Sequence, residues 1–134
     1  KINLVSIHNI DPRNPRKNFI NSSSINKLKN FLLKNSFQRL IIIGDFNNTI
    51  WSTDLIKLLK ICKLRFGNSI FNYSWSPRFY GINKLNKVLN LFLFIFSLNL
   101  DYIFMTQKIK IKKLEYLPNR FGSDHNPLKA ELYV

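Results

Sequence analysis

"RLIIIGDFNN", residues Arg39 to Asn48, decides how this chain is read. Leu40 to Ile43 form an unbroken apolar run with no polar alternation. A run this short and continuous predicts a central strand covered on both faces. It stops at Gly44, and polar groups begin at once with Asp45, Asn47 and Asn48. Ligands of open α/β sheets gather where strands end, so Asp45 stands where a site is expected.

Working outward, "INLVSIHN" (Ile2 to Asn9) predicts a short, largely buried strand. "DPRNPRKNFINSSS" predicts a loop, on its prolines, asparagines and serines. Ser23 or Ser24 then caps a helix through about Asn35, with Ile25, Leu28, Phe31 and Leu32 at helical spacing. Ser52 or Thr53 caps a second helix, "DLIKLLKICKL". The aromatic stretch from Phe66 to Phe79 leaves room for a strand near Phe71 to Trp75. "VLNLFLFIFSLNL" (Val88 to Leu100) falls short of the roughly 18 uncharged apolar residues of a bilayer span and reads as a buried or interfacial helix. "LDYIFMT" (Leu100 to Thr106), the amphipathic "KIKIKKLEYL" (Lys108 to Leu117) and "PLKAELYV" predict three further strands. Alternating strands and helices followed by strands indicate α/β with a mixed sheet, in a single domain over residues 1–134.

A hydrophobic content of 46% is too high for a disordered chain. The net charge of +14 points to a polyanionic partner: nucleic acid, a phosphorylated substrate or an anionic membrane surface. AT-rich coding drift, which enriches Lys, Asn, Ile and Phe, explains the same lysines equally well. One cysteine and two histidines exclude a structural zinc site, and Cys62, in an apolar helical stretch, reads as a buried thiol. With no signal peptide visible the cytoplasm is the default compartment, although Lys1 is not an initiator Met.

Acids are scarce, yet Asp45, Asp101 and Asp124 all fall at strand ends, as do His8 and His125. Singly, each has a structural reading: an Asp before a turn bonds its own backbone, and a His at a strand end is a surface residue. Together they form a pattern that turns alone do not require.

"IIIGDFNNTIW", "LDYIF" and "GSDHNPLKAEL", in this order and preceded by "VSIHNIDP", resemble the endonuclease/exonuclease/phosphatase superfamily. This is the DNase I-like group, with AP endonucleases, sphingomyelinases and inositol polyphosphate phosphatases. The resemblance covers nearly the whole chain but only the second half of that family's domain. It implies half of a four-layer α/β sandwich, with a mixed, largely antiparallel sheet flanked by helices. It also implies a metal-dependent phosphoesterase, a nuclease in the first instance, that hydrolyses phosphodiesters by in-line water attack with Mg²⁺ (or Mn²⁺).

By the same resemblance, Asp45 orients or deprotonates the water, and Asn47 holds a phosphate oxygen. His125 contacts the scissile phosphate as acid or base, and Asp101 fixes its tautomer. Asp124 is a metal-side carboxylate beside Asp45, and His8 is an additional acid. The family's first half, with its metal-binding Glu, has no counterpart here, and Glu115 and Glu131 are out of context. The expected partners are therefore nucleic acid or another phosphodiester, and an N-terminal half-domain encoded ahead of this chain or separately. The alternatives are a non-catalytic polyanion-binding remnant, or a membrane phosphodiesterase of the sphingomyelinase type using the apolar stretch before Asp101.

Overall fold

A computed structural model describes residues 1–67, 73–77, 88–89, 93–117 and 119–133. The apolar run of the opening motif becomes β2 (Leu40–Asp45), and it is the spine of the fold. On one side it pairs in parallel with β1 (Asn3–His8), from Asn3 opposite Leu40 to His8 opposite Asp45. On the other it pairs antiparallel with the strand Asp101–Met105, whose first residue lies opposite Asp45. Between β2 and that strand in sequence come a helix at Thr53–Ile61 and β3 (Arg65–Phe66); numbered in chain order, Asp101–Met105 is β4. The sheet order is β1-β2-β4-β3. β5 (Lys110–Tyr116) and β6 (Leu128–Tyr133) form a separate antiparallel ladder. The sheet content is thus mixed and largely antiparallel, with helices packed against it, as the sequence implied.

Side chains of β2 alternate between two cores, as strand geometry requires. Leu40 and Ile42 join Ile25 and Leu32 of α1 (Pro15–Asn35), Leu55 and Leu58 of α2 (Thr53–Ile61), and Tyr102 and Phe104 of β4. Ile41 joins Ile103, Met105 and Ile109 on the opposite face, against Leu128, Ala130 and Leu132. The strand is covered on both faces because both sets of neighbours are apolar. Ile42, Phe46, Leu55, Leu58 and Phe104 have no exposed surface. Burial of each such side chain contributes roughly 1.5–3 kcal/mol.

Several expectations are corrected. β2 does not stop at Gly44 but runs through Asp45, which keeps the ladder to His8 and Asp101. The first helix begins at Pro15, ten residues earlier than a Ser24 cap would place it. Asn14 caps it by accepting the Lys17 N–H at 2.9 Å, and Pro15, lacking a donor, suits the first turn. Ser24 is interior and donates its hydroxyl to the Ile20 carbonyl at 2.9 Å, which satisfies it within the helix. Ser52 does precede α2, but without a side-chain cap bond.

The helix expected over Val88 to Leu100 is present in part: among the described residues Val88, Leu89 and Leu93 are helical, and the helix does not continue to Leu100. Phe94–Phe96 make a single 3-10 turn, and Leu98 exchanges backbone hydrogen bonds with Trp75 at 2.9 Å, which pulls it out of helical pairing. Of the strand placed at Phe71 to Trp75, residues 71–72 lie outside the described set, and Trp75 forms isolated bridges to Leu98 and His125. Cys62 is half-buried behind α2, where burial pushes its thiol pKa up. No helix among the described residues is long and apolar enough to cross a membrane.

Candidate active site

The register of the sheet builds the site. His8 ends β1, Asp45 ends β2 and Asp101 opens β4, and each faces the next across the ladder. Gly44 lets β1 and β2 close up here. Its φ is +135°, and a Cβ would sit 1.8 Å from the Ile7 carbonyl oxygen. No other residue type fits that backbone without strain.

Asp45 is fixed by its own loop. The Asn47 backbone N–H donates to Asp45 Oδ1 at 2.7 Å, and the Asn47 side-chain amide donates to Oδ2 at 3.0 Å. The same amide also donates to the Asn9 carbonyl at 2.8 Å. Asn47 has a φ of +48°, a left-handed conformation that Asn tolerates better than most residues. Behind it, fully buried Asn21 of α1 donates to the carbonyls of Ile10 at 2.7 Å and Phe46 at 3.2 Å. One helix side chain therefore ties the loop after β1 to the loop after β2.

His125 arrives on the loop before β6 and is held through Nδ1, with Nε2 near two further carboxylates. Nδ1 lies 2.6 Å from Asp101 Oδ2, and Nε2 lies 3.9 Å from Asp45 Oδ2 and 4.0 Å from Asp124 Oδ1. A carboxylate on Nδ1 makes that nitrogen the donor and turns Nε2 towards the cleft. His8 Nε2 reaches Asp45 Oδ2 at 3.9 Å, but its side chain is 83% exposed. His8, Asp45, Asn47, Asp124 and His125 line one cleft of about 440 Å³, with Arg13 at its rim. Asp101 stands behind His125 rather than in this cleft.

The electrostatics follow from this layout. The Asp101 hydrogen bond raises the His125 pKa against the opposing effect of burial. Burial also pushes the Asp45 carboxyl above its usual range; the Asn47 N–H opposes the shift, and the nearby Asp101 charge adds to it. Asp45, Asp101 and His125 bring ligand atoms within 4.8 Å of one another, a grouping that can hold a cation. Neither glutamate comes near. Glu131 lies 3.4 Å from Lys112 and Glu115 lies 2.5 Å from Lys113, on the β5–β6 ladder.

The supporting residues were not evident from the motifs. Buried Ser74 accepts the backbone N–H groups of Leu100 and Asp101 at 3.0 Å each, which sets the start of β4. The Trp75 indole donates to Asp124 Oδ2 at 2.8 Å. Arg120, 8% exposed, donates to Asn126, to the Asp124 carbonyl and to Ser76. The available signal was an Arg kept beside "SDH" in a chain that otherwise favours Lys. Asn21, inside an ordinary helical pattern, gave none.

No protein-family model matches the chain, and no curated protein matches its sequence. Solved structures match its fold. A functionally unknown conserved protein from Enterococcus faecalis V583 aligns over 97% of this chain and 49% of its own, with TM-score 0.68 and 17% identity. A mannosyl-6-phosphatase from Bacteroides thetaiotaomicron aligns over 98% and 51%, with TM-score 0.61 and 15% identity. An endonuclease/exonuclease/phosphatase family protein from Bacteroides thetaiotaomicron aligns over 96% and 48%, with TM-score 0.62 and 14% identity. The chain spans about half the length of the structures it matches. Its architecture is consistent with the C-terminal half that the motif order implied. This chain carries, at half length, the fold of the endonuclease/exonuclease/phosphatase proteins.

Proposed function

We propose that this chain supplies the reacting residues of a metal-dependent phosphodiesterase acting on nucleic acid. The observation that carries the reading is His125, bonded to Asp101 at 2.6 Å through Nδ1 while Nε2 faces Asp45 and Asp124. A structural histidine needs one such partner; this one has three carboxylates around a cleft.

The donor set suits a hard divalent cation, because Asp45 and Asp124 offer carboxylate oxygens to one cleft. These two residues would hold Mg²⁺ or Mn²⁺, with water and phosphate oxygens completing the shell. The bound ion would neutralise phosphate charge. Asp45 takes the proton of the attacking water, a role that its raised pKa favours. As the water oxygen bonds to phosphorus, the bond to the leaving oxygen breaks, and His125 Nε2 delivers the proton that this oxygen needs. Asp101 holds the imidazole in the tautomer that permits the transfer and stabilises its charged form. Asn47 anchors Asp45; to reach a phosphate oxygen it turns one amide proton away from Asp45 or Asn9. His8, exposed at the rim, is placed to meet a phosphate oxygen.

A complementary half-domain completes the reading. An apolar groove of about 590 Å³ runs between the β1-β2-β4 face and β6, lined by Leu4, Ile41, Ile43, Ile103, Leu128 and Leu132. The structures that match are twice as long, so a second half is the occupant that fits it. That half would also add the acidic ligand absent here. The +14 charge supports a nucleic-acid substrate over a neutral one.

The test compares this chain with Asp45→Ala in Mg²⁺-dependent cleavage of bis(4-nitrophenyl) phosphate. The rate should fall at least about 100-fold, the usual loss of a general base. An unchanged rate would sink the assignment. Release of phosphate from mannose 6-phosphate in preference to diester cleavage would redirect the substrate to monoesters. Salt-sensitive nucleic-acid binding indifferent to both Mg²⁺ and Asp45 would favour a polyanion-binding remnant.

A further inference from the structure

We propose that Arg120 is the positioning residue for the Asp124–His125 pair, clamping the loop that carries them onto the Tyr73–Ser76 segment. The inference rests on the reading of that pair as the reacting groups.

The loop's own bonds are short-range, the Ser123 N–H to the Arg120 carbonyl at 2.9 Å and the His125 N–H to Ser123 Oγ at 3.0 Å, and none of them ties it to the rest of the fold. Phe121, Gly122, Ser123 and Asp124 are all exposed, so packing contributes little to their conformation. Phe121 is 76% exposed and sits at φ +50°, a left-handed geometry unfavourable for a bulky residue, and Gly122 follows at φ +87°. Those bonds shape the turn, but its placement against the sheet has to come from outside it.

Arg120 spans that gap. Its Nη1 donates to the Asp124 carbonyl at 2.9 Å, inside the loop. Its Nε donates to Asn126 Oδ1 at 2.6 Å, just past His125. Its Nη2 donates to Ser76 Oγ at 2.9 Å, on the other segment. Asn126 adds its own backbone N–H to the Ser74 carbonyl at 2.6 Å and its amide to the Tyr73 carbonyl at 3.3 Å. The planar, fixed fork of a guanidinium can serve acceptors in these separate directions at once; an ammonium cannot.

The segment being gripped also positions the rest of the site. Ser74 Oγ accepts the Asp101 N–H at 3.0 Å, and the Trp75 indole donates to Asp124 Oδ2 at 2.8 Å. One strip of chain therefore registers Asp101 from one side and the Asp124–His125 loop from the other. Without Arg120 the loop would keep its residues but lose its alignment to Asp101 and Trp75.

The sequence offers a clean probe, because it contains two tryptophans, Trp75 in the site and Trp51, which is 76% exposed. In ¹H–¹⁵N spectra of the chain, Arg120→Lys keeps the charge and removes the fork. The Trp75 indole proton, shifted downfield by the Asp124 carboxylate, should move to the position of a solvated indole while Trp51 stays put. A Trp75 resonance unchanged in Arg120→Lys overturns the clamp. If Arg120→Lys does not fold, both indoles collapse to the unfolded position, and Ser76→Ala and Asn126→Ala decide instead. Each removes one acceptor and should move Trp75 part of the way; no movement in either overturns the proposal. Diester hydrolysis in the same samples separates the two readings. Hydrolysis unchanged by Asp45→Ala while Trp75 still answers to Arg120 leaves the clamp standing and removes the function.

Discussion

At the scale of single residues, Asp45 and His125 face each other at 3.9 Å, and both bind protons more tightly than usual, for different reasons. His125 does so because Asp101 stabilises its charged form. Its stabilising contribution is complete below the ordinary histidine pKa and disappears as pH rises through the raised value. Asp101→Asn should therefore flatten the parent's loss of thermal stability in that window, measured by melts at pH 5 to 8, and lower hydrolysis by about 10²–10⁴-fold. A melt profile identical to the parent's would contradict the Asp101–His125 bond. Asp45 is raised chiefly by burial, so its ionised form weakens the fold. Asp45→Asn should gain stability relative to the parent as pH rises from 4 to 7, while losing activity; a variant equally destabilised at both ends would contradict that account. The cluster of candidate site residues was legible because this chain has few carboxylates and imidazoles, and those at strand ends converge through the sheet register. Asn21, Ser74 and Arg120 were not legible, because a residue that acts by bonding distant backbone has no local spacing to reveal it.

At the scale of elements, the strands were the readable part. Leu40–Ile42 and Tyr102–Met105 are short apolar runs that are buried throughout, as central strands are. The helix start was misplaced because the Ser22–Ser24 run resembles a cap, whereas Asn14-Pro15 is the real one. Asn and Pro in a loop-like string carry the same composition as a cap followed by a first turn, and only the Asn14–Lys17 bond distinguishes them. The helix expected before Asp101 was placed too long at its end, because tertiary pairing of Leu98 with Trp75 overrides the helical pattern there. At Gly44 the backbone of β2 lies too close to Ile7 of β1 to admit a Cβ. Gly44→Ala should cost about 3 kcal/mol or more, since the β1–β2 ladder must open to admit the methyl group. It should also reduce hydrolysis by separating His8 from Asp45. Chemical denaturation measures the first effect, and a loss under about 1 kcal/mol would show that the strands can part there cheaply.

At the scale of the whole molecule, two features ask for partners. The +14 charge draws polyanions to it, and binding to nucleic acid should weaken along a linear log–log dependence on salt. The apolar groove between the sheet and β6 asks for the other half of a fold that the matching structures carry at twice the length. The chain nevertheless places Asp45, Asp101, Asp124 and His125 in one site without help, and the account stands on that arrangement. Nicking of supercoiled plasmid at low salt, with Mg²⁺ or with EDTA, by this chain and by His125→Ala tests it most directly. The account predicts slow nicking that requires Mg²⁺ and disappears in the variant. Nicking that survives His125→Ala or EDTA would contradict it, whereas no nicking by either protein is the outcome expected where the absent half-domain is required.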